Sequence, residues 1–338
     1  MQAAPVFSGH YDPQSGAIIA AQNGKVLWAF AAVNPGSIRN EVQTFNVTYY
    51  VEPLDESGPP KEVYRTRALG GGALGAFFPD GTILISAMNS LVWLEANKPP
   101  REEPLPELKG HTVYPVKLFA DGEVAIEYDV GNFQNAWWIP IEDHTLKMKK
   151  RVLLDDAIDT DEKFFRSGNQ IAWINAAHSS QDTSKAKRRA SQFSVFNIET
   201  GDVSSSKIKI DSGLHLAGFD GTHAVAPGVL IDVASGKSSP LALPGEVIGL
   251  DGDTLYFRRD TRDTGAQYIL TSFEILSLDL GKPAAEGRSL TTVDLAKFPD
   301  RPARPLYIRP ESITVVCDKK VYLWDSERWA EVLRGAGK

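Results

Sequence analysis

The feature that most constrains this chain is a tight glycine turn that returns along its length between short apolar runs. It occurs at Asn23-Gly24, Asp80-Gly81, Asp121-Gly122, Ser167-Gly168, Asp220-Gly221 and Asp251-Gly252, with Pro310-Glu311 as a degenerate seventh. Asn-Gly and Asp-Gly suit two-residue hairpins because the central residues of such turns need positive φ, which glycine adopts without steric cost. Successive glycines stand 57, 41, 46, 53 and 31 residues apart, and Glu311 lies 59 beyond Gly252. Spacings of this kind mark a repeat architecture in which strand lengths hold while loops vary.

A third strand is expected after each turn, over Val42–Val51, Ser90–Glu95, Ala136–Ile141, Phe193–Ile198, Val229–Val233, Phe273–Leu278 and Val321–Trp324. A fourth, more polar segment follows most copies, at Glu62–Arg67, Leu146–Leu153, Lys207–Ile210 and Arg288–Val293. Inner strands such as Lys25-Val-Leu-Trp-Ala-Phe30 are apolar on both faces, which suits a sheet packed between two neighbours better than a half-exposed one. The pattern therefore predicts an all-β fold: one seven-bladed β-propeller domain spanning residues 1–338, with four antiparallel strands per blade. The expected blades are 16–67, 73–108, 113–153, 163–210, 214–243, 246–293 and 305–325, closed by an N-terminal strand over 5–11. The competing closure uses Trp329–Leu333, in a short helix predicted over Ser326–Arg334.

Several segments resemble the WD40-type propeller family. Leu108-Lys-Gly-His111-Thr followed by Val116-Lys-Leu-Phe119-Ala-Asp-Gly122 is similar to that family's Gly-His start and Asp-Gly turn. Phe77–Ser86 and Val321-Tyr-Leu-Trp-Asp325 resemble other parts of its repeat. One repeat carries Gly-His and only the last carries Trp-Asp, so the resemblance implies the architecture and no functional subfamily. Asn23–Trp28 and Ile198-Glu-Thr-Gly201 are also similar to pieces of the quinone-dependent dehydrogenase repeat, but no quinone or calcium ligand set accompanies them.

A length of 338 residues needs two domains or a large repeat fold. The formal charge of −7 argues against broad nucleic-acid binding, which depends on an excess of Lys and Arg. Cys317 is the single cysteine, so no intramolecular disulfide forms. No apolar run reaches the 18 residues of a membrane span. The start Met-Gln-Ala-Ala-Pro has no charged region followed by an apolar one, which predicts no signal peptide and a cytoplasmic location. A cleaved leader replaced by an initiator Met, with a periplasmic or secreted protein, would look the same.

Candidate sites are expected on the loops after second and fourth strands: 33–40, 129–135, 155–162, 175–192, 258–272 and 295–305. The insertion Asn175–Gln192 carries Lys185-Ala-Lys-Arg188-Arg189, which reads as a docking loop or as a solvated insertion, and Arg188-Arg-Ala-Ser191 fits a basophilic kinase site. Arg258, Arg259 and Arg262 in the sixth repeat and Arg301 and Arg304 before the seventh are the best partner-binding group, since guanidinium forks match carboxylates. The plainer reading pairs them with Asp260, Asp263 and Asp300. Asp155, Asp156, Asp159, Asp161 and Glu162 lack the glycine turn of a calcium loop. The histidines at 10, 111, 144, 178, 215 and 223 form no local zinc motif, so no metal or cofactor is expected, although distant residues could converge. Neither a Gly-x-Ser-x-Gly elbow nor a phosphate-binding glycine loop occurs, and Gly70-Gly-Gly72 suits a crossover between blades. Trp93, Trp137, Trp138 and Trp324 fall on third strands and suit core positions.

The function read from the sequence is a non-catalytic interaction scaffold, monomeric on its own, that binds a protein or peptide, an acidic one suiting its arginines, through charged loops. The alternatives are a hydrolase or lyase whose catalytic residues come from several blades, and a small-molecule or glycan receptor.

Overall fold

The computed structural model describes residues 14–323 apart from 34–43, 55–56, 70–72, 88–89, 106–112, 120–122, 131–132, 159–163, 176–190, 209–215, 244, 263–269, 283–286, 295–313 and 318–319. Among the described residues the regular structure is β-strand, with one 3-10 turn at Met148–Lys150 and no α-helix. No helix among them is long and apolar enough to cross a membrane. The chain divides into two compact units. One comprises Met1–Tyr128, Trp138–Arg151 and Asp294–Lys338; the other comprises Asp129–Trp137 and Val152–Val293.

In the first unit, strands β1 (Gln14–Gln22), β2 (Lys25–Val33), β3 (Thr44–Pro53) and β4 (Lys61–Leu69) pair in chain order as one antiparallel sheet. A second sheet repeats the order with β5 (Gly75–Phe77), β6 (Ile83–Ser86), β7 (Ser90–Leu94) and β8 (Arg101–Pro104). A third is built on β9 (Val113–Phe119), β10 (Glu123–Val130), β11 (Phe133–Glu142) and β12 (Thr145–Leu146). The expected fourth segment at 146–153 is broken there: β12 is two residues long, the 3-10 turn follows, and β13 (Val152–Ile158) then pairs with β11 as a fifth strand of the sheet, carrying Asp155 and Asp156 out of the expected acidic loop.

The second unit contains three complete meanders. They are β14 (Phe165–Ser167), β15 (Gln170–Asn175), β16 (Gln192–Asn197) and β17 (Val203–Lys207); β18 (Gly218–Phe219), β19 (His223–Ala226), β20 (Val229–Asp232) and β21 (Lys237–Pro240); and β22 (Glu246–Asp251), β23 (Thr254–Arg262), β24 (Leu270–Asp279) and β25 (Arg288–Asp294). This four-stranded antiparallel meander is the blade of a β-propeller, and the fold is all-β of that type. Among the described residues six such blades are seen, where the sequence predicts seven. In the seventh region the described residues form a two-stranded hairpin, β26 (Thr314–Cys317) with β27 (Lys320–Leu323). The expected strand at 5–11, the helix at 326–334 and the Asp121-Gly122 and Pro310-Glu311 turns lie outside the described residues.

Burial follows the doubly apolar strands. Val26, Leu27, Trp28, Ala29 and Phe30, consecutive on β2, are all buried, so both faces of the sheet are covered. Ile19, Leu27 and Tyr49 of the first sheet pack with Ala73, Phe77, Ile85 and Val92 of the second. In the other unit Ala172, Ile174 and Phe193 meet Phe219, Ala224 and Ile231, and Val225 and Leu241 meet Leu255, Phe257 and Leu276. Gly75 lies where the second sheet meets the first: a Cβ there would stand 2.4 Å from Leu27 Cδ2 and 3.3 Å from Ile19 Cγ2, so those side chains would have to shift.

The turns keep their glycines for a reason that differs from one to the next. Asn23 and Gly24 both have positive φ, at 52° and 69°, as the two-residue hairpin requires. At Asp80-Gly81 and Asp220-Gly221 only the glycine does, and the aspartate instead closes the turn by accepting the amide two residues on: Thr82 N to Asp80 Oδ1 at 2.9 Å and Thr222 N to Asp220 Oδ1 at 2.7 Å.

Tyr49 joins the first two blades through its hydroxyl. Fully buried, it donates to the Ser86 carbonyl at 2.9 Å, with the Leu74 carbonyl at 3.4 Å and Ser86 Oγ at 3.3 Å. Burial pushes its phenol well above the ordinary value. A raised acid pKa in the folded state means that the folded chain keeps a proton the unfolded chain has lost, so stability is intact below pH of about 10 and falls as pH rises beyond it, by up to about 1.4 kcal/mol per pH unit. Tyr49→Phe should cost about 1–2 kcal/mol at neutral pH and flatten that alkaline decline in urea unfolding; an unchanged slope in the variant would assign the decline to other tyrosines.

Candidate functional site

Three clusters of charged or titratable side chains are built by the blades, each within one unit. The first lies in the second unit, where the turn joining β18 to β19 meets the turn joining β22 to β23. Asp220 is held rigidly: its Oδ1 accepts the amides of Thr222 at 2.7 Å and His223 at 2.5 Å, and the neighbouring β14–β15 turn adds Ser167 Oγ donating to the Asp220 carbonyl at 2.5 Å. The Asp220 side chain is 6% exposed, and its second oxygen, Oδ2, makes no hydrogen bond. It faces His223 Nδ1 at 3.5 Å, also buried without a hydrogen-bond partner, and Asp253 Oδ1 stands 3.6 Å from the same nitrogen. Asp253 is the exposed member, at 73%.

The second cluster lies in the first unit. The turn between β11 and β12 holds Asp143 and His144, both at positive φ, and this projects the imidazole onto Trp93 of β7, ring centroids 5.0 Å apart and nearly parallel. His144 Nε2 is 3.0 Å from Asp80 Oδ2, and its Nδ1 is 3.6 Å from Glu95 Oε1. The Thr82 amide, with His144 adding to it, holds the Asp80 carboxyl below its usual range; Lys98 does the same for Glu95. Trp93 Nε1 donates to Glu103 Oε2 at 3.0 Å, and the Arg101 guanidinium lies 5.3 Å from the ring centre while donating to the His144 carbonyl at 2.5 Å. The imidazole thus sits between two acids on the Trp93 ring, and with the Leu146 amide donating to Glu103 the cluster ties β12 to the second blade.

The arginine group comes third. Arg258, Arg259 and Arg262 lie on β23, whose pairing with β24 runs from Thr254↔Asp279 to Arg262↔Leu270, so the loop expected over 258–272 is shortened to the residues between these strands. Strand pairing continues because each cation meets an acid. Arg258, 6% exposed, donates to Asp260 Oδ1 at 2.7 Å and Oδ2 at 3.3 Å and to Glu246 Oε2 at 3.1 Å. Arg259 is paired with Glu274, which lies opposite it, and Arg262 with Asp260 at 3.3 Å. Glu274 is held below the usual carboxylate range by Ser289 and then Arg259.

Arg188, Arg189, Arg301 and Arg304 lie outside the described residues, as do most of the 175–192 insertion, Gly70–Gly72 and Trp324. Ser191 is buried, which does not suit the kinase-site reading. Trp93 and Trp138 are core residues as expected, and Trp137 is half-buried. The sequence reading did not foresee Asp220, His223 and Asp253 as a group. The available signal was the recurrence of Asp-Gly one blade apart, with a histidine three residues after the first.

No protein-family model matches the chain, and no curated protein matches it. Among solved structures it is similar to an acylaminoacyl peptidase of Pyrococcus horikoshii, at 12% identity and a TM-score of 0.48, over 82% of this chain and 46% of that one. It is also similar to a puromycin-hydrolyzing peptidase of Mycobacterium tuberculosis, at 13% identity and 0.43, over 85% and 54%. TolB of Acinetobacter baumannii follows at 9% identity and 0.37, over 83% and 82%. The chain thus spans about half the length of the two peptidases. Likenesses at this level assign it no activity.

Proposed function

We propose that the chain is a non-catalytic binding module: a single WD40-like propeller of seven blades that docks a protein or peptide partner through its charged loops. Its seventh blade would be the β26–β27 hairpin, completed by residues 305–313 and by the strand at 5–11. The position of β26 beside β1 within one unit supports that closure. The observation that carries the binding reading is the arginine–carboxylate ladder on β23 and β24. Arg259 and Arg262 remain 49% and 58% exposed while each is anchored by a carboxylate, over a buried Arg258. An anchored guanidinium still has donors to spare and loses little freedom on docking, which favours a polar, acid-bearing protein surface. Arg188, Arg189, Arg301 and Arg304 would extend the surface, in a protein that is monomeric alone and cytoplasmic.

The test is quantitative cross-linking in the native cell, comparing the intact chain with Arg259→Glu/Arg262→Glu. The partner signal is expected to fall at least about tenfold, as the loss of two interface arginines implies, while Arg65→Glu, an exposed arginine on β4, leaves it unchanged. Equal recovery by all three proteins would remove this reading.

A second reading, a hydrolase or lyase with groups drawn from several blades, is favoured by the convergence of Asp220, His223 and Asp253 from neighbouring sheets. Turnover of a peptide or ester panel that disappears in His223→Ala would support it.

A further inference from the structure

We propose that Asp220, His223 and Asp253 bind one first-row divalent cation of the Zn2+ class between two successive blades of the second unit. Among the described residues these three place one ligand atom each, Asp220 Oδ2, His223 Nδ1 and an Asp253 oxygen, within 4.8 Å of one another. The spacings favour one of two explanations of the cluster. A histidine that served only as a hydrogen-bond donor to its acids would stand about 2.7–3.2 Å from them. The observed separations are 3.5 and 3.6 Å. Two ligands about 2.1 Å from a common tetrahedral ion stand about 3.4 Å apart, which is what the histidine nitrogen shows toward both carboxylates.

Burial supplies the second, independent observation. Asp220 Oδ2 and His223 Nδ1 are buried and make no hydrogen bond, although each belongs to a group that the chain holds firmly. A buried polar atom left without a partner is costly, and natural folds rarely keep one unless something else fills the role. The nearby Asp232, opposite His223 in the strand register, accepts Ser235 N at 2.8 Å and Ser235 Oγ at 2.6 Å on its Oδ1 and makes no hydrogen bond to His223 Nδ1. Two carboxylates and a neutral imidazole carry a charge of −2, which a divalent cation cancels.

The donor set also selects the ion. One imidazole nitrogen with two carboxylate oxygens suits Zn2+ and its neighbours, whereas Ca2+ and Mg2+ prefer oxygen throughout. Two ligands are preset by the turn, and the exposed Asp253 reaches them from the next blade, so the ion would join β18–β19 to β22–β23 and keep a position open to water. The site requires neither reading of the overall function.

The full chain, dialysed against EDTA, is titrated with Zn2+ alone, and separately with Ca2+, by calorimetry and thermal unfolding. One Zn2+ per chain is expected, with Tm raised by about 5 °C at a hundredfold excess over Kd and weaker binding of Ca2+. Asp253→Asn alters an exposed residue, so the ion-free variant should melt where the ion-free parent does, with Zn2+ affinity reduced at least about tenfold. His223→Gln should act likewise; where it fails to fold, Asp253→Asn alone decides. Failure to bind one Zn2+ per chain, retention of the ion by Asp253→Asn, or tighter binding of Ca2+ would overturn the proposal.

Discussion

Trp93→Ala is expected to remove about 3–5 kcal/mol of unfolding free energy, the cost of deleting a large aromatic from a packed interior. Trp93 is fully buried on β7, where Phe78 tilts against it at 5.4 Å and His144 stacks on it. Alanine would open a cavity beneath the β11–β12 turn and withdraw the platform under His144 and Arg101. Glu103 would also lose the Nε1 donor, keeping the Leu146 amide at 3.1 Å and Arg101 at 3.6 Å. Trp93→Phe narrows the change: it keeps a ring but loses that bond and part of the indole volume, so about 2 kcal/mol is expected. Urea unfolding followed by far-UV circular dichroism gives both numbers. An alanine variant within about 1 kcal/mol of the parent would show that the site collapses around the loss.

Asp260→Ala is expected to cost about 3 kcal/mol, because it strips a buried guanidinium of its bidentate acceptor. Arg258 would keep Glu246, but that residue is 67% exposed and water also contests its carboxylate. The exposed pair Arg65–Glu62 is the natural control, with side chains 68% and 40% exposed, and Glu62→Ala should cost less than about 1 kcal/mol. A double-mutant cycle of Arg258→Met with Asp260→Ala should return a coupling above about 1 kcal/mol, since the lone charge is worse than no charge. Equal costs for Asp260→Ala and Glu62→Ala would mean that the β23 ladder is screened like any surface pair, and its value as a rigid docking surface would go with it.

Legibility in the sequence tracked the range over which each feature is determined. The doubly apolar run at 25–30 and the third-strand tryptophan at 93 announced burial before any coordinate, because a strand alternates its faces every residue and two apolar faces need two covers. The outer strand at 146–153 was read as continuous, yet it breaks at the 3-10 turn of Met148–Lys150. The sequence pattern puts the arginines at 258–262 in the loop after the second strand of the sixth repeat, whereas they continue that strand. Their neutralising partners Glu246 and Glu274 sit on other strands, and once paired, arginine belongs in a strand as readily as a polar residue does.

Local chemistry, then, settled the all-β class and the four-stranded antiparallel meander: glycine and aspartate close turns within four residues, and apolar alternation acts within eight. Tertiary structure alone decided which charges are neutralised and which polar atoms are stranded. Asp220 and Asp253 are 33 residues apart in the chain and belong to turns of different blades, and only the packing of one sheet on the next brings their oxygens to one histidine. Such a meeting is a property of distances between sheets, which no periodicity along a single strand encodes.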